Sequence, residues 1–172
     1  MNKDGNCIQA TQTMRADRVL ALALLYAAGG KIEGRTRFQK LAFLSDQQLE
    51  DYDIDPYEFV AYDYGPFDNE LYKNLEWLEQ EGLVESSESR TFGGDKRYDY
   101  RLTRKGEKSF ERNVPTSDVQ TLGDLSGSQR KLKRIYNVAK NIVEEYNEIP
   151  ISNLIRQVYN EYPEFAENSV LN

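Results

Sequence analysis

The stretch DNELYKNLEWLEQEGLVESSESRTFGGDKRYDYRLT, Asp68–Thr103, constrains the fold more than any other part of the chain. Leu71, Leu75 and Leu78 recur at i, i+4 and i+7 with Trp77 beside them, which predicts an amphipathic helix. Asp68 is a side-chain cap for its start and Gly82 a stop at its end. No room for a long connection follows. Leu83–Ser87 reads as a strand, FGGD at Phe92–Asp95 as a glycine-rich reversal, and KRYDYRL as the return strand. On that return strand Tyr98, Tyr100 and Leu102 alternate with Arg97, Asp99 and Arg101, giving one aromatic and one charged face. The hairpin therefore folds back beside the helix that precedes it, and Arg90, Lys96 and Arg97 flank its tip. Thr103 opens a short basic helix, TRKGEKSFER.

Upstream, Asp17 is placed to cap a helix over Val19–Ala28 whose leucines and alanines surround most of the cylinder, so it needs cover on nearly every side. Gly29-Gly30 ends it and Lys31–Ile32 reads as a short strand. A second helix opens at Thr36, with Thr36 and Gln39 in capping-box spacing and Phe38, Leu41, Ala42 and Leu49 forming its inward stripe. Arg35, Arg37 and Lys40 sit at or near its amino terminus, where cations are electrostatically disfavoured. Solvated surface is the ordinary reading of such a cluster, and an anionic partner is the functional one. Glu58–Tyr64 is rich in aromatics and predicts a strand before a Gly65-Pro66 turn. Asp51, Asp53 and Asp55 alternate, but the glycine and glutamate of a calcium loop are absent.

Downstream, residues 114–128 are rich in small polar residues, proline and glycine and read as a linker. Leu132, Ile135, Val138, Ala139, Ile142, Val143 and Tyr146 then mark a long helix broken by Pro150, and Leu154, Ile155, Val158 and Tyr162 a shorter one. The expected organisation is a flexible tail over 1–13, with Met14 as an alternative start, a domain over 14–113, the linker, and a helical extension over 129–172. The two strongly apolar helices, Val19–Ala28 and Leu132–Tyr146, are the expected basis of a homodimer.

Composition narrows the function. The longest apolar run is about half of the roughly 20 residues a membrane helix needs, and the start lacks the apolar core of a signal peptide, which predicts a cytoplasmic protein. A single cysteine, Cys7, excludes an internal disulfide; without partners it reads as an idle thiol. The lack of histidine excludes serine–histidine and cysteine–histidine catalysis. Gly93-Gly94 lacks the lysine and helix of a phosphate loop. No cofactor, metal or enzymatic role is expected. Net charge is −7, yet its distribution is uneven. Residues 46–88 hold fourteen acids against Lys73 alone, and residues 89–140 hold thirteen Lys/Arg against six acids.

Helix, short strand, helix, helix, hairpin, helix is the order of a winged helix-turn-helix. The expected fold is thus mainly α with a small β component: a winged helix-turn-helix with an inserted strand and a C-terminal helical extension. RTRFQKLAFL followed by YDYGPFDNELYKNLEWLEQEGLV resembles the YwgA-like prokaryotic winged-helix family and, more distantly, the SocA-type antitoxin domain, also called Panacea. The resemblance covers roughly Lys31–Arg112 and implies a setting of regulators and antitoxins, with no catalytic residue. Two functions follow. The first is a transcriptional regulator on double-stranded DNA, with Arg35, Arg37, Lys40, Lys73, Arg90, Lys96 and Arg97 as the contact set and the hairpin leading, since Asp68, Glu70, Glu76, Glu79 and Glu81 would repel a duplex from the helix itself. The second is an antitoxin-like or adaptor module whose acidic surface docks a basic partner protein.

Overall fold

The computed structural model describes residues 14–118 and 122–170, so the expectations for the tail and Cys7 lie outside the described residues. Helix α1, Ala16–Ala27, runs through the middle: every residue from Val19 to Leu25 is at most 2% exposed. Its cap is Arg15 and not Asp17, which lies inside the first turn with its carboxylate turned inward. Gly29 and Gly30 adopt φ of +76° and +99°, and the Gly30 N–H closes the helix on the Leu25 carbonyl at 2.8 Å. The chain passes at once into β1, Lys31–Glu33.

Helix α2, Arg35–Leu49, begins one residue earlier than its sequence suggests, because Gly34 at φ +92° turns the chain straight from β1 into it. The capping box therefore does not form. Thr36 falls inside the helix, and Gln39 is buried, its amide donating to the Asp68 carbonyl at 3.0 Å and accepting from the Asp68 N–H at 3.1 Å. Phe38, Leu41, Ala42 and Leu49 are all fully buried, as their spacing requires. A 3-10 turn at Glu50–Tyr52 leads to a small hairpin of β2, Val60–Tyr62, and β3, Gly65–Phe67. Tyr62 pairs with Gly65, so the reversal is at Asp63 and Tyr64, and Gly65-Pro66 opens the return strand instead of forming the turn. Pro66 is tolerated there because the two-stranded ladder leaves an edge that needs no donor.

Helix α3, Asn69–Gln80, is capped by Asp68, whose carboxylate accepts the Glu70 N–H at 2.8 Å, and stopped by Gly82 at φ +75°. It leads into β4, Val84–Arg90, and β5, Lys96–Leu102, paired from Val84↔Leu102 to Arg90↔Lys96. β1 adds to the other side of β5 with Ile32 opposite Tyr100, giving the antiparallel order β1-β5-β4. A three-stranded sheet of this order around three helices is the winged-helix fold, mainly α with a small β component, here with a complete hairpin inserted between its second and third helices.

Helix α4, Arg104–Asn113, is capped by the Thr103 hydroxyl, which accepts from the Gly106 N–H and donates to the Gly82 carbonyl at 2.7 Å. Helices α5, Gly127–Tyr146, and α6, Ile151–Glu161, complete the chain with a 3-10 turn at Pro163–Ala166. Ile135, Val138, Ala139, Ile142 and Val143 of α5 are buried in one cluster with the α1 leucines, and α5 packs on both α1 and α2. The two apolar helices expected to pair copies therefore cover each other within one chain. α6 lies on α2, where Phe43 meets the rings of Phe59, Tyr162 and Phe165 at 4.8–5.3 Å. The end of the chain runs beside β2, with the Val170 N–H on the Asp63 carbonyl.

Gly106 is where α4 meets the base of the hairpin. A β-carbon there would fall on the Leu83 carbonyl oxygen and within 2.8 Å of Leu102 Cδ1, whereas Gly127 faces open space. Gly106→Ala is expected to cost about 1–3 kcal/mol through overpacking. Gly127→Ala should be neutral or stabilise by about 0.5–1 kcal/mol. Urea unfolding of the two variants checks both signs.

Candidate nucleic-acid interface

The position of α3 is fixed by a buried polar network. Asn74 donates to the Asp17 carboxylate at 2.9 Å and to the Tyr57 hydroxyl at 3.0 Å, and Tyr57 donates to the Asp17 carbonyl at 2.7 Å. Arg15 closes on Asp17 from outside at 2.9 Å, and the Arg18 guanidinium lies 4.0 Å over the Trp77 ring. With Leu71, Leu75 and Leu78 inward, α3 presents Asn69, Lys73, Glu76 and Gln80 to solvent. Lys73 is 64% exposed and lies 3.8 Å from Glu70, so its charge is matched on its own helix. Glu79 is turned aside, accepting from the Ser86 N–H and hydroxyl at 3.0 and 2.6 Å.

The three cations at the start of α2 have structural partners. The Arg35 guanidinium lies between the rings of Tyr98, at 4.0 Å, and Tyr72, at 4.8 Å, and donates to the Tyr100 hydroxyl at 3.0 Å. Arg37 is half-buried and donates to the Asn147 carbonyl at 2.8 Å, on the last turn of α5, where a cation meets the negative end of a helix. Lys40 is 2% exposed, with its ammonium on the Pro66 carbonyl at 3.0 Å. Burial lowers its pKa to about 7. A side chain so placed does not reach a duplex, which removes Lys40 from the expected contact set.

Hairpin residues are more accessible. Arg90 is exposed and donates to the Gly94 carbonyl at 2.8 Å, bracing the tip, while exposed Lys96 is paired with Glu88 at 3.8 Å, as Lys73 is with Glu70. Phe92 stands fully exposed at that tip. Arg97, next to Lys96 at the tip end of β5, is instead turned onto the sheet: it donates to the Asp99 carboxylate at 3.1 Å, with a second ion-pair contact at 2.9 Å, and approaches Glu33 at 3.6 Å. Asp99 is buried, contrary to the simple alternation of its strand, because α2 begins over it and the Gly34 N–H donates to its carboxylate at 3.1 Å. Of the seven expected contacts, Lys73, Arg90 and Lys96 thus project to solvent from α3 and the hairpin, and the other four are tied into the scaffold.

A second basic surface escaped the sequence reading. Arg104, Lys105, Lys108 and Arg112 of α4 are all exposed, although only a basic helix was read there. The i, i+4, i+8 spacing of Arg104, Lys108 and Arg112 was the signal.

Residues 62–112 match the family model described as the transcriptional regulator PadR-like family. The match runs from the inserted hairpin through α3 and the β4–β5 hairpin into α4, less than a third of the chain. It is a family of winged-helix type, and the match does not confirm the resemblance to the YwgA-like and SocA-type families. No curated protein matches the chain. No helix among the described residues is long and apolar enough to cross a membrane.

Lys40 and Asp46, both inside α2, make stability depend on pH with opposite signs. Burial raises the Asp46 carboxyl to about 7, against the pull of the Tyr57 N–H at 3.2 Å. Its raised folded pKa contributes stability below the ordinary value of 3.8, which is lost as pH climbs to about 7. For Lys40 the folded pKa is depressed, so the unfolded chain holds the extra proton between about 7 and 10.5 and stability rises across that range. Their joint contribution is a minimum near pH 7. Lys40→Met should raise the melting temperature at pH 7 and flatten the rise between pH 7 and 10; Asp46→Asn should flatten the fall between pH 4 and 7. Thermal melts across pH 4–10 give the answer.

Proposed function

We propose that this chain is a winged-helix transcriptional regulator that binds double-stranded DNA and meets the phosphate backbone first through its β4–β5 hairpin. The observation that carries the reading is that the match to a transcriptional-regulator family lies over α3 and the hairpin, the elements that contact DNA in winged-helix proteins, and runs on into α4. The charge supports the hairpin over the helix. On α3, exposed Glu76 and the Lys73–Glu70 pair meet solvent, while on the hairpin the Lys96–Glu88 pair is joined by exposed Arg90, which has no carboxylate partner among the described residues. Arg97, engaged with Asp99 and Glu33, acts as the hairpin's anchor.

Lys96→Gln in the full chain should weaken binding to duplexes of any sequence and reduce the salt slope by about one unit per lost phosphate contact. Lys73→Ala should have little effect. Titration of a labelled duplex at two salt concentrations distinguishes them. Full affinity in Lys96→Gln with a clear loss in Lys73→Ala would show that α3 leads. We further infer a homodimer on DNA, since two half-sites about one helical turn apart need two modules. A monomer by sedimentation both free and on a duplex would remove that part.

The second reading is an antitoxin-like or adaptor module. Residues 41–72 contain nine acids and no Lys or Arg, and the inserted hairpin in their midst exposes Val60, Tyr62 and Tyr64. Apolar anchors in an acidic setting suit a basic partner protein. A partner whose binding is lost in Tyr62→Ala and Asp63→Asn, with DNA binding absent from the parent chain, would favour this reading.

A further inference from the structure

We propose that the outer face of α4, formed by Arg104, Lys105, Lys108 and Arg112, is a phosphate-binding ridge that takes the backbone of double-stranded DNA at the foot of the hairpin. The proposal rests on the DNA-binding reading above and adds this helix to the phosphate contacts of the hairpin.

The four side chains ring one shallow depression of about 470 Å³ with Leu83 and Ser109, and no acid lines it. Among the described residues, no carboxylate lies within 4.0 Å of the charged groups of any of the four. Lys105 donates to the Glu81 carbonyl at 2.8 Å, which ties the ridge to the end of α3 and leaves two of its three donors free. Charge on α4 is segregated. Glu111 accepts from the Tyr26 hydroxyl at 2.7 Å on the flank toward α1, and Glu107 lines a separate hollow with Gly30, Lys31 and Arg101. A merely solvated helix gains from interleaving its acids and bases as i,i+4 pairs, and here the bases stand four apart from one another.

The spacing suits a phosphate chain. Residues four apart on a helix rise by about 6 Å, so Arg104, Lys108 and Arg112 span about 12 Å. One strand of B-DNA carries a charge about every 3.4 Å of axis and its backbone winds round that axis, so a row of cations of this length can follow successive phosphates. Ser109 lies within the ring of bases as a neutral donor of the kind that joins phosphate contacts. The scaffold holds this helix rigidly: Thr103 and Gly106 lock its first turn to Gly82 and Leu83, and Phe110 is buried against Tyr26 and Tyr136. By contrast, Arg97 on the hairpin is already engaged with two carboxylates, Asp99 and Glu33.

The test is titration of a labelled mixed-sequence duplex of about 30 base pairs with the full chain at two salt concentrations. The expected result is that the double variant Lys108→Glu/Arg112→Glu loses tenfold or more in affinity and that its salt slope falls by about two. Charge-conserving Lys108→Arg/Arg112→Lys should bind as the parent does, and circular dichroism melts should show all three chains equally folded. A parent that binds the duplex while the charge-reversed chain keeps the same affinity and slope overturns the ridge and leaves the DNA-binding reading standing. A parent that binds no duplex at either salt overturns both. Equal or tighter binding of poly-glutamate, lost in the same double variant, overturns it in favour of an acidic protein partner.

Discussion

Seven consecutive buried residues, Val19–Leu25, set the constraint around which this molecule is built. A helix with no solvated face cannot be covered by a winged-helix domain on one side alone. Each large apolar side chain left in water would forgo about 1.5–3 kcal/mol. Cover comes from α3 and the sheet, from α4, and above all from α5, whose stripe from Ile135 to Val143 joins the same core. The C-terminal helices consequently complete the hydrophobic core of the N-terminal ones. Close cover also explains the fit at Gly106, where α4 approaches Leu83 too nearly for any side chain.

Electrostatics follows from the same packing. Once α5 and α6 close over α2, the cations at the start of α2 lie between elements and not on the surface. Each finds a partner suited to its chemistry. The planar Arg35 enters an aromatic slot, Arg37 meets the carbonyls at the end of a helix, and Lys40 reaches one buried carbonyl. Cation–π contacts of this kind contribute about 0.5–2 kcal/mol, more when desolvated. What remains to face a polyanion is the basic material of residues 90–112, and most acids of residues 46–81 lie on the end of α2, the segment around the inserted hairpin and α3. The two-sidedness visible in the sequence is thus sharpened by folding, since folding withdraws positive charge from α2 and leaves α3 net acidic.

How far the sequence could be read depends on the range of each interaction. The Asp68 and Thr103 caps, the glycine stops at Gly29-Gly30 and Gly82, and the leucine spacing of α3 are local, and each was legible. Expectations failed where a residue with a plausible local role was recruited from afar. Gln39 serves the backbone of Asp68, 29 positions on; Asp17 serves Asn74, 57 positions on; and Asp99 serves Gly34, 65 positions back. Arg35, Arg37 and Lys40, expected as solvated surface or as contacts for an anionic partner, are likewise engaged by residues distant in sequence. The basic face of α4 is local by contrast, since the four-residue spacing of Arg104, Lys108 and Arg112 is plain in the sequence.

The inserted hairpin does more than lengthen a turn. Tyr62 stacks on Phe67 at 4.8 Å, Phe67 meets Tyr72 at 5.4 Å, and Tyr72 forms one wall of the Arg35 slot whose other wall is Tyr98 on β5. A continuous file of rings and one guanidinium therefore runs from the insertion, past the start of α3, to the strand that carries Lys96 and Arg97. Because Arg35 also donates to Tyr100, it cannot leave its slot without freeing two strand residues at once. Packed side chains of this kind move together or not at all. The acidic, aromatic side of the molecule and its basic side are in this way mechanically joined through one arginine, and the orientation of the β4–β5 hairpin is set as much by the insertion as by α3.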